Sequence, residues 1–118
     1  MRVAPGVEAY GGGGFRVAGE RYAGSILILD DLVRPWPAVD LKSLTPDLFA
    51  PVFDAGLQSV EFVLLGCGAT VAPPPRPVRD AVQAAGLGLE VMSTAEACRL
   101  YNLMAEDGRR VAAALIAF

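Results

Sequence analysis

Val60-Glu61-Phe62-Val63-Leu64-Leu65 followed by Gly66-Cys67-Gly68 is the stretch on which the fold turns. Its first six residues read as a strand, and the two glycines that follow end it in a tight turn. Downstream, a loop runs to Pro73-Pro74-Pro75-Arg76-Pro77, and Val78, Ala81, Val82 and Ala85 then recur at helical spacing, with Gly86 as the stop. Leu89-Glu90-Val91-Met92 reads as a short strand. Ser93-Thr94-Ala95-Glu96 has the form of a capping box, and it opens a helix with Ala97, Leu100, Tyr101 and Met104 on one stripe. That helix stops at Gly108, and Arg110 to Ala117 is a final, mostly apolar strand. Upstream, Thr45-Pro46-Asp47 starts a helix and Gly56 closes it, with Pro51 predicting a kink or two short turns. From residue 45 onward the order is therefore α-β-α-β-α-β, which makes a parallel or mixed sheet with helices packed on it.

The first 37 residues read differently. Residues 1–13 are glycine-rich and are expected to be partly mobile. Phe15–Ala18 is a strand, Gly19-Glu20 can form a type II′ turn, and Arg21 to Leu29 continues as a second strand. The latter half of that strand is apolar at nearly every position, as burial on both faces requires. Leu32 to Trp36 is a short extended piece that Pro35 and Pro37 keep out of a central position. The expected architecture is α/β, a central sheet with flanking helices and an added N-terminal β-hairpin, in a single domain spanning residues 1–118.

Composition bounds the function. The chain has 118 residues, 53% hydrophobic and 19% charged, with a mean hydropathy of +0.42 and no histidine. A core can form at this size without disulfide or metal staples. The apolar blocks fall well short of the roughly 18 residues of a membrane span, so no membrane insertion is expected. Nothing in the first residues reads as a secretory signal, and the expected location is cytoplasmic. The net charge is −3, and the nine arginines and single lysine are scattered. Nucleic-acid binding, which needs a basic patch, is not expected. Cys67 and Cys98 form no CxxC, so neither a redox motif nor a zinc framework is signalled. No metal or cofactor is expected.

Without histidine, every Ser-His, Cys-His and His-ligated metal mechanism is absent. Gly66-Cys67-Gly68 sits where open α/β sheets place ligand crevices. A phosphate loop, however, holds its anion with backbone N–H groups, and the prolines that follow have none. Cys67 lacks a base, and Arg76 and Arg79 could assist only by their charge. Those arginines, with Asn102, would favour an anionic ligand near the turn. Tyr101 belongs to the apolar stripe. Asn102 is either solvent-facing or bonded to a neighbouring backbone. Trp36, bracketed by prolines, is a candidate anchor for a partner or a lid over the edge of the core.

Three segments carry a family resemblance. Leu64-Leu65-Gly66-Cys67-Gly68, Thr94-Ala95-Glu96-Ala97-Cys98-Arg99-Leu100-Tyr101-Asn102 and Arg109-Arg110-Val111-Ala112-Ala113-Ala114-Leu115 are similar to the signatures of an uncharacterised domain family. That family includes mitochondrial complex I assembly factor three and the adipogenesis-associated domain protein, and its fold was first described in a methanogen protein. The family pattern has threonine where this chain has Cys67. The resemblance implies a three-layer α/β fold with a central mixed sheet in which one strand, expected to be the last, is antiparallel. It implies no established enzymatic activity. The expected function is a non-catalytic, assembly-factor-like module acting on a protein partner, with a homo-oligomer possible. The alternative is a binding protein or enzyme for a small anion, using a crevice near Gly66, Cys67 and Gly68.

Overall fold

The computed structural model describes residues 4–118. Eight strands and three helices follow one another: β1 (Val7–Gly11), β2 (Gly14–Val17), β3 (Glu20–Ala23), β4 (Ile26–Leu29), β5 (Leu32–Pro35), α1 (Ala50–Ala55), β6 (Phe62–Gly66), α2 (Arg76–Ala84), β7 (Gly88–Met92), α3 (Thr94–Glu106) and β8 (Val111–Leu115). A five-stranded sheet of order β5-β4-β8-β6-β7 forms the middle layer, and β1-β2-β3 form a separate antiparallel sheet.

The middle strands are apolar on both sides because both sides are covered. Side chains alternate along a strand. Leu27, Leu29, Val63, Leu65, Ala112 and Ala114 accordingly face one core with α2 and Trp36. Ile26, Ile28, Leu64, Ala113 and Leu115 face a second core with α3 and the small sheet. Every residue of β4 and β8 is buried. The 53% apolar content of the chain therefore fills two cores, and among the described residues no helix is long and apolar enough to cross a membrane.

Several readings of the sequence are corrected. The odd strand of the mixed sheet is β4, not the last one. β8 runs parallel to β6, as does β7, and β4 pairs antiparallel with both β5 and β8. The helix α3 is long enough for a parallel crossover, so the short link at Gly108 does not force a reversal. Gly108 instead closes α3 through paired bonds, Gly108 N–H to Ala105 C=O and Arg109 N–H to Met104 C=O. The predicted single strand from Arg21 to Leu29 is two. Gly24, at φ 81°, breaks it, so β3 stays in the small sheet while β4 enters the large one. The turn before β3 is centred one residue earlier than expected. Ala18 and Gly19 both have positive φ, 48° and 85°, which is a type I′ hairpin, and Val17 pairs with Glu20. The N-terminal layer has three strands, because β1 lies within the segment read as mobile. Residues 1–3 of that segment lie outside the described residues. Pro51 acts as anticipated: a 3₁₀ turn, Pro46–Phe49, ends where α1 begins, and Pro51 falls in the first turn of α1.

Candidate functional site

Parallel β6, β7 and β8 end together at Gly66, Met92 and Leu115. From this edge the chain leaves β6 for α2 on one face and leaves β7 for α3 on the other. Such a divergence opens the crevice in which doubly wound sheets hold ligands. Here the crevice is closed by the protein itself. The Thr94 hydroxyl accepts from Gly68 N–H at 2.8 Å and donates to the Ile116 carbonyl at 2.8 Å. Thr94 N–H donates to Gly68 C=O at 2.9 Å, and Cys67 N–H to Met92 C=O at 2.8 Å. Thr94 is wholly buried. Gly66 has to be glycine, because a β-carbon there would lie 2.9 Å from the Cα of Thr94. Gly68 takes φ 100°, a conformation L side chains avoid. The N–H groups of Cys67 and Gly68 are thus both committed to protein carbonyl and hydroxyl partners, and the turn has neither to offer an anion.

The residues singled out from the sequence fall in separate places. Gly66, Cys67 and Gly68 form the closed turn. Arg76 opens α2 and Arg79 follows in its first turn, both exposed. Asn102 lies on the opposite face of the sheet, on α3, about 12 Å along the helix from Thr94. Its side chain reads the backbone of β1: Oδ1 accepts from Val7 N–H and Nδ2 donates to Val7 C=O, each at 2.9 Å. Tyr101 beside it donates its hydroxyl to Pro5 C=O at 2.8 Å. Of the two roles open to Asn102, the structure shows the backbone bond. The structure does not bring Asn102 together with the arginines.

Trp36 is not on the surface. It is 4% exposed, stacks edge-on against Phe49 at 5.4 Å, and donates from Nε1 to Leu48 C=O at 2.8 Å. Between its two prolines the ring packs inward over the core edge, the place of a lid.

The cysteines are both free. Cys98 is fully buried, and desolvation pushes its thiol up to about 12. Cys67 is 9% exposed and donates weakly to Ala72 C=O at 3.6 Å. It forms part of a shallow cleft of about 300 Å³ with Asp40, Leu41, Lys42, Thr70 and Ala72. Asp40 is turned toward its own loop, where Ser43 N–H donates to it at 2.9 Å. That bond, with the Ser43 hydroxyl and the nearby Lys42 charge, holds the Asp40 carboxyl below its usual range. The sequence reading missed Thr94, which looked like an ordinary second residue of a capping box. It also missed the loop around Asp40, where no motif stands. The one available signal was Val39, an apolar residue stranded beside charge.

The whole chain resembles known proteins. A family model described as "protein of unknown function (DUF498/DUF598)" matches residues 7–116. An uncharacterised protein of Rhodobacter capsulatus is 39% identical over 110 residues, 93% of this chain and 82% of that one. The human NADH dehydrogenase [ubiquinone] 1 alpha subcomplex assembly factor 3 is 29% identical over 110 residues, and the chain spans 59% of that factor's length. Among solved structures, an outer membrane protein from Bartonella henselae superimposes with a TM-score of 0.87 at 29% identity, covering 97% of this chain and 95% of that one. A Mth938-like domain from Bordetella pertussis superimposes with a TM-score of 0.78 at 25% identity, covering 98% and 92%.

Proposed function

Because the chain belongs to the family of proteins of unknown function DUF498/DUF598, we propose that it is a protein-binding module of the assembly-factor kind, with no chemistry of its own. The observation that carries this reading is the extent of the likeness to assembly factor 3. It runs over 110 residues, so what the two share is the folded domain and not a local motif. The closed crevice supports it as well. Where an α/β enzyme would hold its substrate, Thr94 fills the gap and uses the turn's hydrogen-bonding groups. The sequence has no histidine to serve as a base, and both thiols are buried. The partner in this reading is a protein undergoing assembly, met in the cytoplasm.

Purification of the tagged protein from its native host, followed by mass spectrometry and light scattering, tests the proposal. The expected result is a defined hetero-complex that survives washing at moderate salt. A chain that always elutes alone and retains no protein would overturn it.

A further inference from the structure

The two sheets have four outer edges, on β1, β3, β5 and β7. An edge strand carries unpaired backbone groups unless the chain covers or interrupts them. Three of these edges are guarded. Asn102 takes both the N–H and the C=O of Val7 on β1. On β5, Trp36 N–H bonds Ser25 C=O, so by alternation Val33 and Pro35 face outward, and proline has no N–H. β3 is only four residues long and includes Glu20 and Arg21. On β7, Cys67 N–H bonds Met92 C=O, so Gly88, Glu90 and Met92 turn their backbone groups to β6. Leu89 and Val91 turn theirs outward, and among the described residues no hydrogen bond reaches that side. Their side chains lie against the α2 core, and Met92 lies with Leu100 and Met104 against the α3 core. Both layers are thus apolar up to an open edge.

Charge marks the middle of that edge. Alternation puts the exposed Glu90 on the same side as Met92, where Glu96 opens α3 with a second carboxylate. Glu90 makes no ion pair among the described residues. The cations of the surrounding elements are placed elsewhere. Arg109, over the Phe62 ring beside Gly88, is held by Glu61 at 2.9 Å. Arg99 shares the flank of α3 that carries Asn102 and faces β1. Arg76 and Arg79, with Asp80, belong to α2 on the other face of the sheet. We propose that the outer edge of β7 receives an added strand from a partner protein, an extended segment with a lysine or arginine opposite Glu90 and apolar residues on either side of it. The inference rests on the protein-binding reading above and names where that binding occurs. The occupant follows from the edge. The outward groups of Leu89 and Val91 are met by another extended backbone, as in strand addition generally. Opposite charges directly across a strand pair stabilise it, and like charges destabilise it. A second copy is therefore a poor occupant, because two β7 strands pairing antiparallel about their midpoints set Glu90 against Glu90.

The test titrates the isotope-labelled full chain by NMR with three end-blocked peptides. They are Thr-Val-Lys-Val-Thr, its counterpart with glutamate in place of lysine, and the lysine peptide with methylated backbone nitrogens. The lysine peptide should shift the amides of Leu89 and Val91 most and bind about fivefold tighter than the glutamate peptide, a preference that shrinks in high salt and reverses in a Glu90→Lys variant. The methylated peptide, which has lost its backbone donors, should not bind. Shifts confined to other residues, equal binding of the two charged peptides, or no shift with any peptide overturns the proposal. The second arm purifies the tagged Glu90→Lys and Val91→Pro chains from the native host, with thermal melts to confirm folding. Proline at 91 removes an outward N–H and no bond to β6. Loss of the wild-type chain's partner from both folded variants supports the proposal. A partner kept by both overturns the β7 site and leaves the protein-binding function standing. A wild-type chain that retains no partner overturns that function and the inference with it.

Discussion

The two faces of the central sheet are covered by different means. On one, α1, α2 and Trp36 lie against Leu27, Val63, Leu65 and Ala112 in a core that is almost wholly apolar. On the other, α3 and the small sheet also bury apolar side chains, but they are fastened by polar ties between distant parts of the chain. Thr94 bonds Gly68 and Ile116, Tyr101 reaches Pro5, and Asn102 clasps Val7. The first face is held mainly by non-directional burial, with the bond from Trp36 Nε1 to the Leu48 carbonyl added to it, and the second relies on more contacts that have one correct geometry. Stability should therefore concentrate in the first face, and positional accuracy in the second.

Substitutions can break that contrast. The largest expected effect is on the packed face, where Trp36→Ala should lower stability by about 3–5 kcal/mol in urea unfolding. Thr94→Val should cost about 2–4 kcal/mol, because it leaves the Gly68 N–H and the Ile116 carbonyl buried and unpaired. Thr94→Ser, which keeps the hydroxyl, should recover most of that loss. A valine variant as stable as wild type would show that shape alone fills the crevice. Asn102→Leu should cost less, about 1–2 kcal/mol. Its clearer signature should be faster hydrogen exchange at Val7, with the amides of β6 and β8 unaffected. If exchange accelerates evenly through the molecule, the clasp is not a local device.

The smallest effect is absent at neutral pH. Cys98 on the α3 face is neutral there in both the folded and unfolded states. Its thiol is pushed up to about 12 in the fold, whereas an exposed cysteine ionises near about 8.5. Ionisation thus favours the unfolded chain first, and stability should decline as pH rises from about 9 toward about 12. Comparing urea midpoints at about pH 8 and about pH 10 checks this, and Cys98→Ala should flatten the alkaline limb.

The packed face was the more legible in sequence. The apolar spacing of Val78 and Val82, the run from Val63 to Leu65 and the proline signals at 46 and 51 act locally, and local patterns report them. The polar face was not legible to the same degree. Ser93 and Glu96 did mark the start of α3, where Glu96 N–H bonds the Ser93 hydroxyl. Thr94 beside them gave no sign of its role, because its partners lie 26 and 22 residues away. Asn102 and Val7 are 95 apart, and no periodicity links positions so distant. Strand direction escaped for the same reason. Pairing with β6 sets how β8 runs, and a sequence read locally contains no statement about pairing. Trp36 could be read either as a partner anchor or as a lid over the core edge, because flanking prolines announce a turn without saying toward which side the ring swings.

The place of β8 has a consequence for synthesis on the ribosome. It is the last of the eight strands in chain order, yet it sits in the centre of the large sheet, bonded to β4 on one side and β6 on the other. Until Leu115 has emerged, that sheet exists only as two separate strand pairs, β5-β4 and β6-β7, each with a bare edge of the kind that invites aggregation. The nascent domain must wait almost to its final strand before it can close, and a polypeptide halted short of Val111 has no middle strand with which to join its halves.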